Sequence, residues 1–131
     1  MHRFATRVFT IAGIYGLIVL IPQYFTESRF ATDFPPALTH AEYFYGFLGV
    51  TVAWQICFLV IARDPVRMRP VMIPAMLEKL AFSIPAFVLY ARHRLATVVV
   101  SFAAIDIVLL VLFVVAYVKT PSRSGAAAGH G

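Results

Sequence analysis

Charged residues are scarce in this chain of 131 residues. Asp, Glu, Lys and Arg together make up only 13% of it, whereas hydrophobic residues make up 61%. A soluble domain usually has about 25% charged and about 45–50% apolar residues. The mean hydropathy is +0.85. A water-soluble core of this size cannot hide so much apolar surface, so the composition predicts one domain folded in a lipid bilayer.

Cysteine is almost absent, and the common catalytic motifs are absent. The single cysteine, Cys57, lies inside an apolar run, which excludes an intramolecular disulfide and is typical of a small buried hydrophobic residue. No CxxC, HExxH, nucleophile elbow or phosphate-binding glycine loop occurs. His40 lies near Asp33 and Glu42 in the sequence, but so small a group of ligand types is common by chance. We therefore predict no catalytic residue, no metal site and no cofactor.

The basic residues do not indicate a nucleic-acid partner. The net charge is +5, but arginine and lysine fall between the apolar runs and not along one helical face. This placement is typical of membrane topology signals. The partners predicted from it are membrane lipids and a partner membrane protein or a second copy of the chain, with no nucleic acid.

Four apolar segments have about the 20 residues that a membrane-spanning helix needs. They predict an all-α integral membrane four-helix bundle forming a single domain over residues 1–118, with helices at about 8–25, 41–62, 71–91 and 96–118. No small-x-small cleavage site follows the first segment, which predicts an uncleaved first helix. The small polar residues of 119–131 predict a disordered cytoplasmic tail.

The distribution of cations predicts the orientation. With four spans, both termini share a side with the middle loop, and that side holds seven cations against three on the other side. By the positive-inside rule both termini lie in the cytoplasm of a multi-pass protein of the inner (cytoplasmic) membrane. The seven residues are Arg3, Arg7, Arg63, Arg67, Arg69, Lys119 and Arg123, and the three are Arg29, Arg92 and Arg94.

The second helix carries a start signal in the stretch THAE. Thr39 can cap the first backbone amides, while Glu42, three residues later, can reach back to the amide of the cap. The sequence therefore predicts a capping box at residues 39–42.

Ionisable residues inside the third and fourth segments are the main functional signal. The stretch PAMLEKLAF at 74–82 places Glu78 and Lys79 among apolar residues, and Asp106 lies within the fourth segment. Such groups cost several kcal/mol in a bilayer unless they face the bundle interior and find partners. At about 1.5 Å per residue, Glu78 lies roughly 10 Å below the membrane surface and Asp106 roughly 18 Å. The predicted intramembrane polar cluster, or ligand-binding site, consists of Glu78, Lys79, Asp106, Gln55, Tyr15 and Trp54.

Glu78 and Lys79 are predicted to need separate partners. Adjacent residues point about 100° apart on a helix, because only i+3 and i+4 neighbours share a face. Lys79 can reach Asp106 or extend to the headgroups. Glu78 can accept a hydrogen bond from Gln55 or Tyr15, pair with an arginine of the middle loop, or carry a proton.

Prolines and small residues suggest how the helices pack. Pro22, Pro74 and Pro85 each free a carbonyl and bend a helix, which can open a cavity. In the second helix, the small residues of one face predict close helix packing there, while Thr51 and Gln55 lie on another face. The small residues are Gly46, Gly49 and Ala53.

Two family resemblances follow from these features. The four short-looped helices, the basic middle loop and the charged stretch PAMLEKLAF resemble the small bacterial DoxX-like membrane proteins, which implies an accessory subunit of a redox complex. The stretch EYFYGFLGVTVAWQICF at 42–58 is similar to the sterol-isomerase and sigma-2-receptor-like four-helix fold. That second resemblance implies a ligand pocket with intramembrane acids at Glu78 and Asp106.

Together these features favour an accessory or structural subunit of a membrane complex. The alternatives are an intramembrane ligand-binding or transport-type protein and a lipid-modifying enzyme of isomerase type that uses Glu78 or Asp106 as a general acid or base. A ligand-binding site predicts a cavity lined by these two carboxyl groups. A helix clamp predicts direct contacts with polar partners and no cavity.

Overall fold

Helices account for most of the described residues. The computed structural model describes residues 3–33 and 39–122, and in these ranges the regular elements are helical. The α-helices are α1 (Arg3–Leu20), α2 (Glu27–Asp33), α3 (Ala41–Arg63), α4 (Met72–Ala91) and α5 (Thr97–Lys119), and 3₁₀ turns cover Ile21–Phe25 and Arg69–Val71. Four segments are long and apolar enough to cross a membrane, namely Arg3–Phe25, Ala41–Arg63, Arg69–Ala91 and Thr97–Lys119. The chain is therefore an all-α, multi-pass membrane protein with four candidate spans.

The first span differs from the predicted helix at 8–25 at both ends. It begins at Arg3, five residues earlier, because Arg3 and Arg7 are good helix formers whose long side chains reach water from a helix end. The regular helix ends at Leu20, and Ile21–Phe25 continues as a 3₁₀ turn. Pro22 explains this change, since proline has no N–H and its ring clashes with the carbonyl four residues earlier.

The connection between the first two spans contains the short helix α2, which lies outside the four predicted helices. The Tyr45 hydroxyl of α3 donates a 2.6 Å hydrogen bond to the Glu27 carboxylate of α2. The rings of Tyr24 and Tyr45 lie 6.0 Å apart. These contacts attach α2 and the preceding 3₁₀ turn to the N-terminal end of α3, on the side of the bundle opposite Arg3.

The predicted capping box at the start of α3 is wrong. The N-cap residue is His40, not Thr39, and no side-chain hydrogen bond caps the helix. The Glu42 carboxylate lies 3.3 Å from Nδ1 of His40. The helix begins one residue later than the box requires, so Glu42 is too early in the first turn to reach the cap amide.

The spans pack as two antiparallel pairs. α1 lies along α3, and α4 lies along α5, while α1 and α5 join the two pairs and α3 and α4 barely touch. An aromatic group fills the bundle near the chain ends: Phe9 stacks on Phe113 at 4.3 Å between ring centroids, and Phe58 meets Phe113 edge-on at 5.0 Å. The other half of the bundle is less tightly filled.

Close contact between α1 and α3 depends on glycines of α1. A β-carbon at Gly13 would lie 2.8 Å from the Leu59 side chain, and one at Gly16 would overlap the Gln55 side-chain amide. The predicted small-residue strip of α3 is not at this contact, since a β-carbon at Gly46 would have no neighbour within 4 Å. The close approach of α1 and α3 thus depends on glycines of α1, whereas the sequence predicted close packing at the small residues of α3.

The prolines of α4 have unequal effects. Pro85 lies inside the helix, whereas Pro74 lies in the first turn, where the missing N–H removes no intrahelical hydrogen bond. Only Pro85 therefore occupies a position where a bend in α4 is expected.

Helix α4 ends in a Schellman motif. The amide of His93 donates to the Tyr90 carbonyl at 2.9 Å, and the amide of Arg94 donates to the Leu89 carbonyl at 2.8 Å. His93 has a φ of 59°, the left-handed conformation that this motif requires and that glycine usually supplies. The turn leads directly into the short connection to α5.

Candidate intramembrane binding cavity

A cavity of about 1030 Å³ separates the two helix pairs. All four spans contribute to it, and most of its surface is apolar and aromatic. It extends from the His93–Ala96 connection and the α2 end of the bundle to the charged side chains in the interior. Ligand sites in proteins usually have about 300–1,000 Å³, so the space is sufficient for a molecule of drug or lipid-fragment size.

The inner end of the cavity is a three-residue charge cluster. The Lys79 ammonium lies 3.3 Å from Oδ1 of Asp106 and 3.5 Å from Oε2 of Glu78. The Lys79 side chain is 5% exposed, and each carboxylate side chain is 16% exposed. The predicted pairing of Lys79 with Asp106 is present, and it joins α4 to α5.

The contact between Lys79 and Glu78 was not expected from the sequence. Their Cα–Cβ bonds diverge on the helix, but the lysine chain is long enough to place its ammonium between the two carboxylates. The expectation that these two neighbours do not pair is therefore wrong for the ionic contact, although Oε2 of Glu78 still has no hydrogen-bond donor. The argument from 100° spacing holds for short side chains and fails for a four-carbon stem.

Two further contacts hold Lys79 in place. Its ammonium lies 5.2 Å from the centre of the Phe58 ring, which offers a cation–π interaction from α3. The Ser83 hydroxyl is 2.8 Å from the Lys79 carbonyl, to which it donates, and 3.4 Å from the Ala103 carbonyl of α5. The ammonium is thus fixed relative to three helices.

Gln55 of α3 lines the same cavity as the cluster and is 1% exposed. Its Nε2 donates to the Thr51 carbonyl at 2.9 Å, one turn earlier in the same helix. Its Oε1 packs against Gly16 and occupies the space that the β-carbon of any other residue at position 16 would need. The glycine therefore makes room for a polar side chain in the wall of the cavity.

Two buried side-chain oxygens in the described part of the chain have no hydrogen-bond donor, Oε1 of Gln55 and Oε2 of Glu78. The Glu78 oxygen is within ionic distance of Lys79 but lacks the geometry of a hydrogen bond. Buried acceptors without donors cost about 1–3 kcal/mol each. Both residues line the cavity, so a molecule bound there could supply the missing donor.

Five of the six predicted cluster residues line this one cavity, and Trp54 does not. Tyr15, Gln55, Glu78, Lys79 and Asp106 are brought together from the four spans. Trp54 instead packs against Phe58, with ring centroids 6.3 Å apart, at the edge of the aromatic core. It is one position before Gln55 in α3, and this single step turns it away from the cavity.

The sequence reading missed the apolar lining and the outer rim. Four phenylalanines line the cavity, and the pair Phe47–Phe82, at 6.4 Å between centroids, bridges the gap between α3 and α4. At the rim the Schellman turn contributes His93 and Arg94. The aromatic residues had no distinguishing signal, because phenylalanine is common throughout the chain. They are Phe44, Phe47, Phe82 and Phe102.

The charges of the cluster do not balance when all three groups are ionised. Two carboxylates face one ammonium, which leaves one negative charge in a site of low dielectric constant. Such a site favours a proton, a cation or a strong hydrogen-bond donor as an additional partner. In the described residues, no three His, Cys, Asp or Glu side chains are grouped as a metal site would require.

Comparisons with known proteins give no family assignment. No family model, no curated protein and no solved structure matches this chain. The resemblances to DoxX-like proteins and to the sterol-isomerase and sigma-2-receptor-like fold therefore receive no support from them. The site has to be interpreted from its own geometry.

Proposed function

We propose that this protein binds an amphipathic or apolar small molecule inside the membrane, with the cavity between the helix pairs as the binding site. The cavity itself carries this proposal, since a clamp of polar side chains needs no space of about 1030 Å³ beside it. Its aromatic surface suits an apolar body. The ligand would carry at least one N–H or O–H group directed at Glu78 and Gln55.

The wall residues have separate roles in this proposal. Lys79 and Asp106 hold α4 and α5 together through their ion pair, while Glu78 keeps an acceptor oxygen free of hydrogen bonds. Gln55 of α3 carries a second acceptor oxygen without a donor, packed over Gly16 of α1. A donor group of the ligand at either oxygen would satisfy it, and the bond to the charged Glu78 carboxylate would be the stronger one.

A pair of fluorescent probes tests the proposal on purified protein in lipid nanodiscs. 1-Aminoanthracene is an apolar ring system with an amine donor, and anthracene has the same rings without the donor. We expect both to bind, and the amine to bind roughly tenfold more tightly, the difference that about 1.4 kcal/mol produces. Glu78→Gln should reduce this preference and leave anthracene binding unchanged.

Glu42→Gln is the matched control, because Glu42 is exposed, pairs with the exposed His40 and does not line the cavity. This variant should bind both probes like the unmodified protein. Failure of both probes to bind, or an equal effect of the two substitutions, would contradict the proposed binding site.

An accessory subunit of a membrane complex is the second candidate. Its support is the strip of small residues on α3, which faces outward within the described chain and leaves space for another helix. The strip consists of Gly46, Gly49 and Ala53. Affinity purification from native membranes, with Gly46→Leu as the disrupting variant, tests it through the loss of a co-purifying protein at a fixed ratio.

We also propose that both termini lie in the cytoplasm. The ammonium of Lys119 lies 4.6 Å above the Phe4 ring, so the start of the first span and the end of the last span lie on the same side. That side carries most of the arginine and lysine residues, as cytoplasmic loops do. A reporter enzyme that is active only outside the cytoplasm, fused after residue 131, should be inactive. The same reporter placed in the His93–Ala96 connection should be active.

A further inference from the structure

A second, smaller cavity lies at the chain-terminal end of the bundle and forms a groove of about 370 Å³. We call it the arginine groove. It lies where the first span begins and the second span ends, far from the cavity of the proposed function. Its lining residues are Arg3, Thr6 and Arg7 of α1, Arg63 at the end of α3, and Asp64 and Pro65 of the following loop.

Helix geometry explains why three arginines meet here. Arg3 and Arg7 are four residues apart, so they share one face of α1, and Thr6 lies beside them on that face. Arg63 is the last residue of α3, which lies along α1 with its C-terminal end next to the start of α1. The groove therefore combines guanidinium groups from two spans.

These guanidinium groups have no carboxylate partner within the described chain. The ion pairs found there involve only His40, Lys79 and their acidic neighbours. Asp64 is in the groove, but its carboxylate accepts a 3.4 Å hydrogen bond from the backbone amide of Arg67. Three guanidinium groups thus converge with one carboxylate, and the groove keeps a net positive charge.

Other cations at the same end are engaged differently. Arg69 donates to the Tyr117 carbonyl at 3.1 Å and lies 3.8 Å above the Tyr117 ring. Lys119 lies over Phe4. Arg3, Arg7 and Arg63 therefore differ from these two cations, which have aromatic partners, and they differ from Arg67 in lining the groove.

We infer that the arginine groove binds a phosphate group, supplied by the headgroup of an anionic phospholipid. Guanidinium groups make paired, charge-assisted hydrogen bonds to phosphate oxygens, and the Thr6 hydroxyl can donate another. Arg3 begins the first span and Arg63 ends the second, so both lie at the depth of the headgroups. A lipid phosphate therefore reaches the groove without leaving the bilayer surface. This inference does not depend on the function of the larger cavity.

Native mass spectrometry of the full-length protein in detergent tests the inference by titration. The probes are short-chain phosphatidylglycerol, short-chain phosphatidylcholine as the lipid without net charge, and inorganic phosphate. The test variant is Arg3→Gln/Arg7→Gln/Arg63→Gln. Its matched control is Arg67→Gln, an exposed arginine at the same end that does not line the groove.

We expect phosphatidylglycerol to bind at a ratio of one and the triple variant to bind it at least tenfold more weakly, with Arg67→Gln unchanged. Displacement by millimolar inorganic phosphate would identify a free phosphate as an equivalent source of the same group. Equal weakening by Arg67→Gln would show diffuse attraction to the basic end and overturn the inference. Equal binding of phosphatidylcholine would overturn it as well. Unchanged thermal unfolding of the triple variant would show that a loss of binding is not a loss of fold.

Discussion

The side-chain oxygen Oε1 of Gln55 lies directly over Gly16, in the position that a β-carbon would occupy in any other residue. This relationship links two requirements of the fold. The α1 helix must approach α3 closely, and α3 must carry a polar group into the cavity wall. Glycine satisfies both because it leaves space for the amide.

Gly16→Ala is expected to destabilise the protein by about 1–3 kcal/mol, the usual cost of forcing an extra methyl group into a packed contact. Thermal unfolding in detergent, followed by circular dichroism, measures the effect. Gly46→Ala is the control, since a β-carbon there meets no atom within 4 Å, and it should be neutral or slightly stabilising. The double variant Gly16→Ala/Gln55→Ala should recover part of the loss, because the obstructing amide is gone. Equal effects of the two glycine substitutions would show that the close approach is not needed.

Lys79→Met is expected to lower the free energy of unfolding by about 3–5 kcal/mol, because it leaves two neighbouring carboxylates without a buried cation. The same unfolding measurement detects it. The triple variant Glu78→Gln/Lys79→Met/Asp106→Asn removes every charge of the cluster and should be more stable than Lys79→Met alone. A triple variant as unstable as Lys79→Met would show that the lysine acts through packing and not through its charge.

His93→Gly is expected to raise stability by about 1 kcal/mol, because glycine adopts the left-handed conformation without the steric cost of a β-carbon. Arg92 provides the control at the adjacent position, where φ is −90° and glycine offers no steric advantage. Arg92→Gly should therefore be neutral or destabilising. A destabilised His93→Gly protein would mean that the imidazole contributes more to the turn than its backbone strain costs.

Val99→Trp is expected to fill part of the cavity and to weaken binding of 1-aminoanthracene at least tenfold, without altering the charge cluster. Val108→Trp is the control on the same helix, because Val108 is 59% exposed and does not line the cavity. Fluorescence titration in nanodiscs measures both. Unchanged binding to Val99→Trp would place the probe elsewhere on the protein.

The sequence predicted the four-span architecture and the ion pair well because both depend on simple physical costs. Long apolar runs have few alternatives to spanning helices. Lys79 and Asp106 lie at similar depths, and two buried ionisable groups of opposite charge at one depth have a strong reason to pair. Gln55 and Tyr15 were found for a related reason, since polar groups inside a bundle collect in its interior.

Features that depend on a shift of one residue along a helix, or on the length of a side chain, could not be predicted from such costs. Helix α3 begins one residue later than a capping box at Thr39 requires, and this was enough to remove the box. Trp54 and Gln55 are adjacent, yet one packs on the core and the other lines the cavity. The reach of Lys79 to Glu78 depends on its rotamers, which helical spacing does not specify.

The ion pair between Lys79 and Asp106 also bears on how the chain enters the membrane during synthesis. These residues belong to consecutive helices joined only by the residues between Ala91 and Thr97. A lone charge at the centre of an inserting helix costs about 2.5–3.5 kcal/mol on translocon scales. If the two helices leave the translocon as a hairpin, each charge enters lipid with its counterion beside it. The short connection would then assist membrane insertion as well as fold topology. A modestly lengthened connection should lower the efficiency of insertion while leaving the folded protein unchanged.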